Sequence, residues 1–288
     1  MSPEPVVILS ALNSQAARDY LGESLAGPQT IAPLPRVCAQ LAELTAQQAT
    51  DAIQLARLIQ SDPALAGEIM RVANSPALRP RTPIVSLQQA VSWLGVAEVR
   101  NIAMAVMLRG EVFVAPGHEP ESEELWREAW LAGLWAKEIA RERRKQVESA
   151  FLAALMHRTG AALALKILSR FEFEKRTVMD AHTFGDLVVE FEPAFGRLLM
   201  NGWRLPKDVQ EAASDWRNLG RNLQEAGHRD LAATVHAAHL LATHTMHPQL
   251  LDEQVVMESA VFEQLGVFPD DRRRMLGKRE HVRSLAGI

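Results

Sequence analysis

Apolar residues recur mostly three and four positions apart along this chain, the spacing that gathers them on one side of a helix, and the pattern predicts an all-α fold. One short run, VVIL at 6–9, has strand character. An isolated strand leaves its backbone groups unpaired, and no convincing partner is visible in the rest of the sequence, so the run is given no role. The segment SDPALAGEIMRVANS reads as a helix with Asp62 as N-cap and Pro63 at the first helical position, where its missing N–H costs nothing. Leu65, Ile69 and Val72 form its buried face. Asn74 is placed to adopt the left-handed conformation that closes a helix, and Pro76 prevents continuation. The next helix opens at SLQQ, where Ser86 and Gln89 have the spacing of a capping box, runs through Val91 and Leu94 to Gly95, and is followed by another from about Val96.

Between 113 and 124, Pro, Gly and acidic residues occur without helical period, which predicts a linker between two helical lobes. The second lobe begins at ELWREAWLAGLWAKEIARERRK, with Leu125, Trp130 and Leu134 inward and Trp126 stacked on Trp130 one turn away. Further helices are expected around SAFLAALM, FGDLVVEF, AFGRLLMNGW, KDVQEAASDW and LAATVHAAHLLATH. The expected division is a flanking segment at 1–30, a domain at 31–250 with lobes of about 31–115 and 122–250, and a helical extension at 251–288.

Composition narrows the function. With 288 residues, 48% of them hydrophobic, the chain buries a substantial core, and a net charge of −4 gives no basic excess for sequence-independent nucleic-acid binding. A lone cysteine, Cys38, forms no internal disulfide and reads as an inert core residue; no secretory signal or uninterrupted membrane-length apolar run is present, so the cytoplasm is the expected location, with no membrane partner. No glycine-rich phosphate loop, GxSxG elbow or CxxC pair occurs.

The string LIQSDPALAGEIMRVANSP followed by PIVSLQQAVSWLGVAEVRNIA resembles the signature of HDOD domains, and IAPLPRVCAQLAEL, LWREAWLAGLWAKEIA, FLAALMHRTGAALAL and NGWRLPKDV continue the likeness from about 31 to near 247. The resemblance implies a helical output or regulatory module of bacterial signalling, working through a sensor kinase, a receiver or cyclic-dinucleotide domain, or a small ligand. HDOD domains are related to HD-type phosphohydrolases, whose metal ions are held by an adjacent His-Asp pair with a further His and Asp. Here the pair resembles His157-Arg158, the upstream histidine falls at Glu128, the final aspartate falls at or near His239, and Glu192 and Asp215 lie near the later ligand positions. A guanidinium where a divalent cation would sit costs about 4 kcal/mol per unit of cation charge at ~4 Å and an effective dielectric of ~20. No catalytic residue, metal or cofactor is therefore expected. Arg158 is expected to replace the metal as the cation of the old site, paired with Glu128 or Glu192 and less readily with Asp215. The alternative is a metal-dependent phosphohydrolase acting on a nucleotide or cyclic dinucleotide.

Two constellations remain. His236, His239, His244 and His247 fall on one predicted helix within an arc of roughly 140°, loose for a single ion, and a chance histidine-rich helix is the simpler account. The basic stretches RERRKQ and DDRRRMLGKRE lack interleaved aromatics and read as solvated helix ends; a nucleic-acid regulator would require them to converge on one face.

Overall fold

In the computed structural model the described residues are 7–8, 11–27, 52–60, 62–76, 78, 80, 82–218 and 226–287; Cys38 and the stretch 31–44 lie outside them. The fold is all-α. After β1 (Val7–Ile8) and α1 (Ala11–Ala26), the first lobe comprises α2 (Ala52–Gln60), α3 (Pro63–Ala73), α4 (Leu87–Leu94) and α5 (Val96–Glu111). The second comprises α6 (Glu119–Glu142), α7 (Val147–Met156), α8 (Thr159–Lys175), β2 (Thr177–Val178), α9 (Ala181–Gly202), α10 (Lys207–Asp215) and α11 (Ala226–Met246). Four short helices follow: α12 (Glu253–Glu258), α13 (Ala260–Gln264), α14 (Pro269–Leu276) and α15 (Arg279–Ala286).

The strand at 6–9 does have a partner. Val7 and Ile8 pair in parallel with Thr177 and Val178, beyond the reach of any local pattern, and α1 packs on α8 and α9 of the second lobe. The first turns of the signature behave as their caps dictate. The Leu65 N–H donates to Asp62 Oδ1 at 3.1 Å, so Asp62 is the N-cap of α3. The Gln89 N–H donates to Ser86 Oγ at 3.2 Å, while Gln89 Oε1 accepts from the Val85 N–H at 3.0 Å, one residue before the expected return partner. Gly95, at φ 84°, closes α4 by donating to Val91 O at 2.8 Å and turns the chain through 113° into α5.

Asn74 does not act as a left-handed stop; among the described residues, the non-glycine positions with positive φ are Arg144, Arg176 and Arg204. Its side chain does the work instead. Nδ2 donates to Met70 O at 3.0 Å and Ile84 O at 2.9 Å, and Oδ1 accepts from the Ile84 N–H at 2.8 Å, fastening the returning chain to the end of α3. The linker is shorter than the composition suggests, because Glu119 and the residues after it form the first turns of α6, where Pro120 and two acidic side chains suit a helix N-terminus. FGDLVVEF and AFGRLLMNGW are one helix, α9, with Pro193 inside it, opened by Asp180 accepting from the Thr183 N–H at 2.9 Å. The C-terminal helices pack back on the second lobe, α13 against α11 and α15 against α6.

One continuous set of buried apolar side chains runs through both lobes. Trp126 and Trp130 stack with centroids 6.0 Å apart, as the one-turn spacing predicts. The stretch Val147–Lys175 is long and apolar enough to cross a membrane by length and composition, and 78% of its most apolar window is buried inside the fold. At the lobe junction Lys137 of α6, 4% exposed, pairs with Glu98 of α5, Arg100 of α5 pairs with Glu148 of α7, and Arg109 of α5 with Glu123 of α6 at 2.9 Å.

The two roles considered for Asn74 are separable by substitution. Asn74→Gly keeps any left-handed preference but removes the clamp on Ile84, and it should destabilise the protein by about 1–3 kcal/mol in denaturant unfolding; equal or greater stability would show that the clamp does not hold the returning chain.

Candidate functional site

Four helices and two junctions meet at Arg158. His157 ends α7 and Arg158 precedes the first turn of α8, a tight connection held by Thr159 Oγ1 donating to Met156 O at 2.7 Å. The Arg158 guanidinium reaches sideways to both expected carboxylates: Nε donates to Glu128 Oε2 of α6 at 3.1 Å, and Nη1 donates to Glu192 Oε1 of α9 at 2.5 Å. All three side chains are largely buried. Glu192 is bonded on its other oxygen by Arg217, which follows α10. Glu128 is bonded on its other oxygen by His239 Nδ1 of α11 at 2.6 Å. His157 Nε2 lies 3.3 Å from that same His239 nitrogen, and His157 Nδ1 donates to Ala154 O at 2.5 Å.

This arrangement depends on an unusually close approach of α8 to α9. A Cβ on Gly160 would lie 1.9 Å from Glu192 O, and Gly160 faces Gly196 across the contact. Glycine at 160 therefore lets the backbone of α9 come near enough for Glu192 to meet Arg158. Trp216 fills the remaining side, 4.2 Å from the His239 ring, 5.1 Å from His157 and 5.9 Å from His236 by centroids, and its carbonyl is 3.1 Å from His236 Nδ1.

Charge and burial fix the protonation states. Burial alone would push the Glu128 carboxyl up, but the adjacent Arg158 guanidinium and the bond from His239 hold it well below the usual carboxylate range. Burial pushes the His157 imidazole well below its ordinary value, reinforced by His239 and Arg158 and opposed by Glu128, and burial likewise lowers His236. Burial opposes the charge on Arg158, yet the two carboxylates raise it overall. These directions set an ionised Glu128 and a charged Arg158 beside a neutral His157.

The metal centre of HD-type enzymes does not fit these residues. Glu128, His157 and His239 do place three ligand-type atoms within 4.8 Å of one another. However, Glu128 is already paired with the Arg158 guanidinium, and Glu192 with those of Arg158 and Arg217. His239 Nδ1 and Glu128 Oε1, 2.6 Å apart, are already hydrogen-bonded to each other.

Asp215 is outside the cluster: it is half-exposed and 3.9 Å from Arg197. Its place is taken by the next two residues, Trp216 and Arg217, which sequence spacing did not single out. The four histidines do not share a site. His236 meets Trp216 O, His239 meets Glu128, His244 Nδ1 meets Leu251 O at 2.8 Å, and His247, one residue past α11, meets Glu124. The basic stretches do converge, but through interleaved acids: Arg141 and Lys278 both bond Glu138 at 2.7 Å, and Arg274 bonds Glu142 at 2.8 Å and Asp271 at 2.5 Å. Arg143 and Lys145 share Asp230, and buried Arg272 bonds the carbonyls of Val267 and Met257.

The chain belongs to the HDOD domain family, which matches residues 31–218; the match stops short of α11, which supplies His239. A crystal structure from Shewanella amazonensis SB2B, provisionally assigned as a metal-dependent phosphohydrolase, is 21% identical and superposes with a TM-score of 0.71 over 96% of this chain and 99% of that one. An HDOD domain protein of unknown function from Geobacter sulfurreducens is 16% identical, with a TM-score of 0.68 over 94% and 98%. A protein from Marinobacter aquaeolei VT8, provisionally assigned to signal transduction, is 22% identical, with a TM-score of 0.63 over 96% and 66%. At these identities the likeness establishes the fold. An uncharacterised protein of Treponema pallidum (strain Nichols) is 22% identical over 246 residues, 82% of this chain, and the chain spans about half of that relative's length.

The depressed His157 and His236 set a pH dependence. An imidazole whose folded pKa lies below its unfolded value contributes stability above the unfolded value, near 6.5, and loses it as pH falls toward the folded one. Stability should therefore fall between about pH 6.5 and 5 by up to about 1.4 kcal/mol per pH unit for each histidine. Denaturant unfolding across this window should show a shallower slope in His157→Gln; an unchanged slope would mean that His157 is protonated in the fold.

Proposed function

We propose that the protein is a non-catalytic signalling module that acts by binding a partner or small ligand. The observation that carries this reading is the Arg158 guanidinium bonded to both Glu128 and Glu192, at the position that the sequence resemblance pairs with a ligand carboxylate of HD enzymes. The cluster holds α6, α8 and α9 together as a structural keystone. Membership of the HDOD family and the signal-transduction assignment of the Marinobacter relative are in keeping with it. The partner classes that suit such a module are a sensor kinase, a receiver or a cyclic-dinucleotide domain. Its output would be a shift in the relative placement of the two lobes, which requires the partner to bind one placement better. Among the described residues the ion pairs Lys137–Glu98, Arg100–Glu148 and Arg109–Glu123 bridge the junction beside the continuous apolar core, and such a shift would have to rearrange them.

The competing reading is a metal-dependent phosphohydrolase acting on a nucleotide or cyclic dinucleotide, favoured by the convergence of Glu128, His157 and His239 and by the assignment of the Shewanella relative. Elemental analysis and turnover separate the two. The purified protein should carry no stoichiometric manganese, iron or zinc after loading, and should hydrolyse neither phosphomonoesters nor cyclic dinucleotides. Arg158→Asp should not restore hydrolysis. One equivalent of metal, with turnover abolished by His157→Ala, would overturn the proposal.

A further inference from the structure

A second cluster of arginines lies at the lobe junction, away from the degenerate site. There α3, α5 and α6 and the end of α15 enclose a cavity of about 240 Å³, lined by Arg71, Arg109, Arg127, Glu68, Glu123 and Trp126. A recess of about 90 Å³ shares Glu68, Arg71 and Arg109 with it and adds an apolar wall of Val72, Ile102 and Val106. The lining carboxylates do not balance the guanidiniums. Arg71 bonds Glu68 at 2.7 Å, whereas Arg109 and Arg127 share Glu123, at 2.9 and 3.0 Å, leaving one positive charge in excess among these side chains. Arg109 also lies over the Trp126 ring, 5.8 Å from its centroid.

We propose that this cavity binds a compact organic monophosphate carrying a flat apolar group, of the class of the nucleoside 5′-monophosphates. Three guanidinium forks around one space match the three terminal oxygens of a phosphate, and they are free to exchange a carboxylate partner for it because each is about half exposed. The recess and the indole edges of Trp126 and Trp130 supply the apolar side. The site also spans the junction: Arg71 and Arg109 belong to the first lobe, Arg127 and Trp126 to the second, and the end of α15 at Gly287 abuts the Arg71 guanidinium. A ligand held by all of them favours one lobe arrangement, so the proposal rests on the binding-module reading and supplies it with a ligand class.

The test is calorimetric titration of the full chain with adenosine and guanosine 5′-monophosphate, inorganic phosphate and adenosine. At least one monophosphate should bind at one equivalent, at least tenfold tighter than phosphate or adenosine. Arg71→Gln and Arg109→Gln should each weaken it at least tenfold with circular dichroism and melting temperature unchanged, while Arg170→Gln, on α8, should not. Absence of saturable binding by either monophosphate, phosphate binding as tightly as the nucleotide, or affinity unchanged in both arginine variants would each overturn the assignment. Recovering the nucleotide after titration keeps the two proposals apart. Hydrolysed nucleotide would contradict the non-catalytic reading, while the affinities and the arginine variants decide the site.

Discussion

Two carboxylates on different helices, Glu128 of α6 and Glu192 of α9, are drawn into the interior of the second lobe, and a cation between them is the condition for that lobe to close. An uncompensated buried carboxylate is costly enough to open a bundle or to force protonation. Arg158 meets the condition because its fixed fork of donors serves both at once and because the α7–α8 turn places it between them. The rest follows from that geometry. Gly160 is needed for α9 to approach, Arg217 takes the second oxygen of Glu192, and His239 takes the second oxygen of Glu128. With every carboxylate oxygen of the pair engaged, the cluster has the character of a structural fastening.

This fastening also shapes what the molecule is suited to do. His157 is buried, with its imidazole held neutral by that burial, is bonded through Nδ1 to Ala154 O, and packs at a steep angle against the Trp216 ring. Polar groups with room to exchange partners lie instead at the lobe junction, where arginines are half exposed and bonded to carboxylates that solvent reaches. The two lobes are thus joined by a continuous apolar core and, at its rim, by ion pairs that solvent reaches.

Much of this was legible in the sequence where the controlling interaction is local. Asp62 as an N-cap, Ser86 accepting from Gln89 and Gly95 as a helix end each depend on neighbours within four residues, and each is found as expected. The Arg158 cluster was legible for a different reason: a guanidinium beside His157, with acids at related positions, calls for a charge partner wherever the fold brings one. Asn74 was misassigned because its partner, Ile84, lies ten residues away, across a returning loop. The pairing of Val7 with Thr177 and the choice of Arg217 over Asp215 depend on contacts that no periodicity encodes. Gly160 was visible as a residue, but its necessity comes from Glu192 O on another helix.

The most direct measurement is a thermodynamic cycle on the cluster, read by denaturant unfolding at neutral pH for the parent, Arg158→Met, Glu128→Gln with Glu192→Gln, and the triple variant. If Arg158 is the cation that lets the carboxylates be buried, Arg158→Met alone loses about 3–5 kcal/mol, and neutralising both glutamates in the same chain recovers most of that loss. An Arg158→Met variant within about 0.5 kcal/mol of the parent, or losses that simply add in the triple variant, would show that the lobe closes without its guanidinium.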